Sequence, residues 1–177
     1  LLLLGQVRPD YFPALREVLL YPGAFVVDRV QTLGGGVLQD QRRVLAGESW
    51  QRGQVILSWA DVVQGGAVPD DGRNVVLHEF AHQLDQQTGV ANGAPHQGPP
   101  AQAERWARVM APAFARLRAL AAAGQPSVLS DYGATDEAEF FAVATEAFFE
   151  QPAALAAEYP ALYAELARYY AIDPLRW

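Results

Sequence analysis

His78 and His82, two of the chain's three histidines, stand four residues apart within NVVLHEFAHQLDQQTG, residues 74–89. No other feature constrains the fold as much. Positions i and i+4 of an α-helix project from one face, roughly 6 Å apart along the axis, so a helix is what lets the two imidazoles converge. The neighbouring residues agree with a helix: Val76, Phe80 and Leu84, with Leu77 and Ala81, form an apolar face, and Gly89 supplies a stop. Asp70 or Asp71, in the preceding loop GGAVPDDGR, is the expected cap.

With Glu79 the spacing reads H-E-x-x-H. Two such nitrogens suit Zn²⁺, which takes imidazole at about 2.0–2.1 Å, while the intervening glutamate points off the ligand face. A carboxylate there can take the proton of a metal-bound water, whose pKa falls to about 7 from about 15.7 in bulk, as the water attacks a carbonyl. That is a peptidase arrangement. Asp85 lies on the same stripe and could receive the second ring N–H of a ligand, fixing its tautomer. The competing reading is an amphipathic helix that carries the pattern by coincidence, and a third ligand elsewhere in the chain is what separates the two.

Composition narrows the ligand choice. There is no cysteine, which removes disulfides, thiol nucleophiles and thiolate metal sites and leaves histidine and carboxylates. The net charge of −7, without an arginine cluster and with no lysine at all, argues against a nucleic-acid partner. No apolar run reaches the roughly eighteen residues of a membrane span, and LLLL at the start lacks the basic flank and length of a signal segment. The expectation is a single globular domain over residues 1–177, located in the cytoplasm and long enough to bury about two-thirds of its unfolded surface.

Along the chain, PDYFPALREVLL reads as a short helix ended by Tyr21-Pro22-Gly23, and AFVVDRV at 24–30 as a strand. A triple glycine at 34–36 starts a turn, an irregular strand or hairpin arm follows over 37–50, and QVILSW at 54–59 is the clearest strand. After the histidine helix comes a Gly/Pro loop, then a long alanine-rich segment at 103–123 striped by Trp106, Met110, Phe114 and Leu117, which Pro112 is expected to kink or split. DEAEFFAVATEAFFEQP forms a third helix capped at Thr135 or Asp136, and a final pair of helices is broken at Pro160.

The third ligand has three candidates. His96 sits in the Gly/Pro loop, while Glu139 and Glu146 lie seven apart on the third helix and so face nearly the same way. That helix is otherwise strongly apolar, and carboxylates on a buried face need a partner such as a divalent cation. Asp136-x-x-Glu139 also has capping-box spacing, which would explain Glu139 without a metal; Glu146 could equally face solvent. A serine hydrolase has no G-x-S-x-G around Ser49, Ser58, Ser127 or Ser130.

HEFAHQLD, then DYGATDEAEFFAVATEAFFEQP and YPALYAELARYY, together with LLYPGAFVV and SWQRGQVILSW, closely resemble the Mlc titration factor A family of zinc-dependent peptidases over nearly the whole chain. The resemblance implies one Zn²⁺ per chain held by His78, His82 and Glu139, with Glu79 as the catalytic carboxylate. It also matches Tyr132 to a tyrosine similarly placed in peptidases like anthrax lethal factor, where a phenol can bond the developing oxyanion; a loop tyrosine packed over the helix start is the alternative. Glu146 and Asp85 become candidates for orienting the ligands. Two departures stand out. Glu137 occupies a position where the family commonly has Pro, a change that suits the first turn of a helix, and the sequence that usually precedes LLLL is missing, so the chain reads as a trimmed form.

The expected architecture is a zincin-like α+β domain, with a small, mostly antiparallel sheet beside the histidine helix and QVILSW as an edge strand able to take up extended peptide. The expected function is zinc-dependent hydrolysis of a peptide or protein substrate, as an aminopeptidase or an endopeptidase. The alternative is a zinc-stabilised regulatory module that binds a protein partner such as a transcriptional repressor.

Overall fold

The structure is a computed structural model that describes residues 2, 12–33, 37–45, 47–50, 53–96 and 98–177. The first half of the chain supplies strands: β1 (Glu17–Tyr21), β2 (Phe25–Leu33), β3 (Val37–Leu45), β4 (Gly47–Trp50) and β5 (Gln54–Ser58). Helices follow: α1 (Trp59–Ala67), α2 (Val75–Asp85), α3 (Pro100–Ala122), α4 (Glu137–Glu150), α5 (Pro152–Glu158) and α6 (Pro160–Tyr170). This is a mixed arrangement of helices and small sheets, and no described helix is long and apolar enough to cross a membrane.

The sheet is ordered β1-β5-β4. β4 runs antiparallel to β5, with Gly47 opposite Leu57 and Trp50 opposite Gln54, whereas β1 runs parallel to it from Glu17 opposite Gln54 to Tyr21 opposite Ser58. β2 and β3 form a separate antiparallel hairpin; the triple glycine between them lies outside the described residues. The QVIL segment is therefore the central strand and not an edge, and Val55 to Ser58 are buried, as a strand paired on both sides tends to be. Among the described residues the edges are β1 and β4.

Three further expectations change. The segment read as a helix ending in EVLLY is strand β1 from Glu17 onward; its start at 9–11 lies outside the described residues. Phe12 stands at φ 50 and Pro13 follows it, so no helix enters Ala14–Arg16, and a short apolar run takes whichever form tertiary pairing offers. α1 went unread because Gly65 and Gly66 near its end have low helix propensity; Ser58 caps it, accepting from the Asp61 N–H at 3.4 Å. Pro112 sits inside α3, which is one helix from Pro100 to Ala122, so it does not split the segment in two.

The core forms where α3, α4 and α6 meet. Phe140 to Phe149 of α4 are all buried, so this helix is enclosed on every side and runs through the middle of the helical half. The stripe of Trp106, Met110, Phe114 and Leu117 on α3 packs into the same cluster. Truncating a ring such as Phe141, with no exposed surface, would cost about 3–5 kcal/mol. The two helices that carry the candidate ligands, α2 and α4, pack against each other, and the stiffness of α4 in its apolar surroundings is what holds its carboxylates in place.

Candidate metal centre

Helix α2 begins at Asn74, not at the expected Asp70 or Asp71. Its Oδ1 accepts from the Leu77 N–H at 3.1 Å, and its extended backbone (φ −138, ψ 98) turns the chain into the helix. One turn on, His78, Glu79 and His82 are all buried. Helix α4 starts at Asp136, whose Oδ1 accepts from the Glu139 N–H at 3.0 Å. Half of the expected capping box is thus in place, but the Glu139 carboxylate turns toward α2. Its Oε2 lies 3.0 Å from His78 Nε2 and 3.3 Å from His82 Nε2, and the two nitrogens are 3.2 Å apart.

These three distances test the fit of an ion. A tetrahedral zinc with bonds of about 2.0–2.1 Å spaces its ligands about 3.3–3.4 Å apart, close to the triangle observed. The donor chemistry points the same way. His78 Nδ1 lies 2.6 Å from Glu146 Oε1, so that nitrogen carries the ring proton and, in a neutral ring, Nε2 presents a lone pair. That lone pair faces a second imidazole nitrogen and a carboxylate oxygen. A proton can serve one edge of such a triangle, whereas a divalent cation serves all three. Among the described residues, His78, His82 and Glu139 form the one such group of potential ligands; His96 is exposed and lies outside it.

Electrostatics express the same demand for positive charge. Burial opposes charging His78, yet hydrogen bonds to Glu139 and Glu146 and the charges of Glu146 and Glu79 outweigh it and push its pKa up to about 10. Burial would raise Glu139, but its bonds to His78 and His82 hold it below the usual carboxylate range.

The surrounding residues fix the ligands. Glu146 uses its second oxygen to accept the backbone N–H of Asn74 at 2.6 Å, so one carboxylate ties the start of α2 to the orientation of His78. Asn74 Nδ2 also donates to Glu150 Oε1 at 2.9 Å. Tyr132, in the 3₁₀ turn Asp131–Ala134, donates its phenol O–H to the outer oxygen of Glu139 at 3.2 Å, and its ring centre is 5.9 Å from that of His78. Thr135 Oγ1 braces that turn by donating to the Tyr132 carbonyl at 2.7 Å.

Asp85 is fully buried, and its Oδ2 accepts from the Gly93 N–H at 2.7 Å. Burial raises its pKa, partly offset by the backbone N–H groups of residues 92–94 and the charge of His82. The Gly93 carbonyl accepts in turn from Trp106 Nε1 at 2.8 Å. Gly93 itself sits at φ 73, where an added Cβ would come within 2.3 Å of the Glu137 carbonyl oxygen. Asp85 thereby bolts the loop after α2 against the first turn of α4, just ahead of Glu139.

His78, Glu79, Tyr132 and Glu146 line a cavity of about 540 Å³, which extends past Gly47 toward Asp61 and Arg73. Sequence reasoning missed Asn74 and Gly47. An Asn directly before an apolar helical run is an N-cap signal that could have been found; nothing near Gly47 distinguishes it from any loop glycine.

Two histidines from one helical turn and a glutamate from a second helix are the donor set of a metallopeptidase, and comparison with known proteins supports that class. The chain belongs to the glucose-regulated metallo-peptidase M90 family, whose model matches residues 1–171. An uncharacterized protein of Synechocystis sp. is 41% identical over 171 residues, covering 96% of this chain and 62% of that protein. The Mlc titration factor A proteins of Escherichia fergusonii and Klebsiella pneumoniae are each 36% identical, over 94% of this chain and 63% of theirs. The chain therefore spans somewhat over three-fifths of the length of the curated relatives it matches.

Proposed function

We propose that this chain is a zinc-dependent peptidase domain of zincin type that hydrolyses peptide bonds, acting in the cytoplasm. The observation that carries the reading is the near-equilateral triangle of His78 Nε2, His82 Nε2 and Glu139 Oε2, at 3.0–3.3 Å, with the buried Glu79 carboxylate in the adjoining cavity. His78, His82 and Glu139 would hold the ion, one per chain. When bound, zinc supplies a Lewis acid that polarises a carbonyl and makes water a nucleophile near neutral pH.

The protein's own groups do the rest. Glu79 takes a proton from the attacking water and returns it to the departing amine, a general base and then a general acid within one turnover. The Tyr132 phenol, already beside Glu139, donates a hydrogen bond to the oxygen of the tetrahedral intermediate. Glu146 keeps the His78 proton on Nδ1 so that Nε2 faces the ion. An extended peptide would be held by strand addition at β4, the sheet edge beside α2.

Glu79→Gln tests the mechanism. Hydrolysis of a reporter peptide should vanish while zinc stoichiometry is unchanged, and a Glu79→Gln variant that still turned over substrate would refute it. A second reading, a regulatory module that binds a protein partner, is favoured by the name of the relatives, Mlc titration factor A. Tight partner binding that Glu79→Gln leaves intact, with no chelator-sensitive hydrolysis in the wild type, would establish that reading instead.

A further inference from the structure

Gly47 opens the edge strand β4, opposite Leu57 of β5, and lines the same cavity as Glu79. A Cβ built on it would lie 2.6 Å from Glu79 Cγ, 2.6 Å from Glu79 Oε1 and 2.8 Å from Val75 Cγ2. Non-bonded carbon contacts are comfortable only at about 3.5–4.0 Å. Backbone conformation does not call for glycine here, since Gly47 is not among the glycines with positive φ. The requirement is for space. Other glycines differ: at Gly23, Gly66, Gly89 and Gly124 an added Cβ would meet nothing within 4 Å, and at Gly53 and Gly93 the nearest atom is a backbone carbonyl oxygen and φ is positive. Glu79 is 5% exposed on the second turn of a capped helix, so its backbone is held and its side chain, which borders the cavity, is the part that would be pushed aside.

We propose that Gly47 is a positioning residue for Glu79: the bare backbone of β4 packs directly on the Glu79 side chain and sets where its carboxylate stands beside His78. The proposal rests on the peptidase reading above. Moving the 2.6 Å contacts out to ordinary distance displaces the carboxylate by about 1 Å, and a misplacement of that size costs about 10²-fold in rate.

The test compares the zinc-loaded full chain as wild type, Val75→Ala, Gly47→Ala and Gly47→Ala/Val75→Ala. Gly47→Ala should bind one zinc with wild-type affinity and melt within a few degrees of the wild type, while kcat on a reporter peptide falls about 10²-fold and KM changes little. Val75→Ala relieves only the lesser contact and should not restore kcat to the double variant. A crystal structure of zinc-bound Gly47→Ala should show the Glu79 carboxylate displaced by about 1 Å. Retained kcat, a loss that tracks zinc affinity, restoration by Val75→Ala, or an unmoved Glu79 with β4 drawn back would each overturn the proposal. So would failure of both Gly47 variants to fold, which would make Gly47 a packing residue. If the wild type hydrolyses no peptide, the peptidase reading fails, and the crystallographic comparison still decides whether Gly47 holds Glu79.

Discussion

Glu146→Gln probes the link between helix packing and metal affinity. In the wild type one carboxylate serves two donors, with Oε1 at 2.6 Å from His78 Nδ1 and Oε2 at 2.6 Å from the Asn74 N–H. A glutamine of the same shape has one acceptor oxygen and one NH₂ group, so it can satisfy one donor and must present N–H to the other. If the amide oxygen serves Asn74, the His78 ring loses the partner that fixes its tautomer and raises its basicity. Loss of such a partner typically costs 10–100-fold in metal affinity, about 1.4–2.8 kcal/mol. If it serves His78, the Asn74 N–H is left part-buried without its acceptor, at a cost of about 1–3 kcal/mol to the start of α2. Competition with a chromophoric chelator reads the first quantity, and denaturant unfolding of the chelated protein reads the second. At least one must fall. A folded Glu146→Gln protein with zinc affinity within twofold of the wild type and unchanged stability would refute the role assigned to Glu146.

Tyr132→Phe removes a phenol that bonds the outer oxygen of Glu139 at 3.2 Å; kcat should fall by about 10²–10³-fold with zinc stoichiometry unchanged, and undiminished turnover would remove Tyr132 from the mechanism. The chelated protein should also show a bell-shaped stability profile. His78, raised from 6.5 to about 10, contributes stability that is full below pH 6.5 and lost as pH climbs through about 10. Glu139, lowered from 4.5, contributes stability present above pH 4.5 and lost on acidification. The denaturation midpoint should therefore be higher at pH 5.5 than at pH 9, and equal midpoints would contradict the charged pairing of His78.

Much of the candidate site was legible before the fold, because helix geometry alone brings i and i+4 side chains to one face. His78 and His82 needed only a helix over 75–85, and the apolar spacing of Leu77, Ala81 and Leu84 made one. The cap at Asp136, the stripe on α3 and the break at Pro160 were equally local. Strand pairing was less legible: EVLLY becomes β1 because Glu17 to Tyr21 align with Gln54 to Ser58, a relation between segments that no single segment encodes.

Local sequence therefore determined most of the helices and two of the three ligands, since caps, breakers and helical spacing act within a few residues. Spacing left Glu139 open between helix cap and metal ligand, with only the family resemblance favouring the ligand. The packing of α4 against α2 decided where its carboxylate points, and it set Glu146 between His78 and Asn74. Only the tertiary structure brought Gly47 against Glu79, because the close approach of a strand edge to a helix side chain depends on how the two elements are packed.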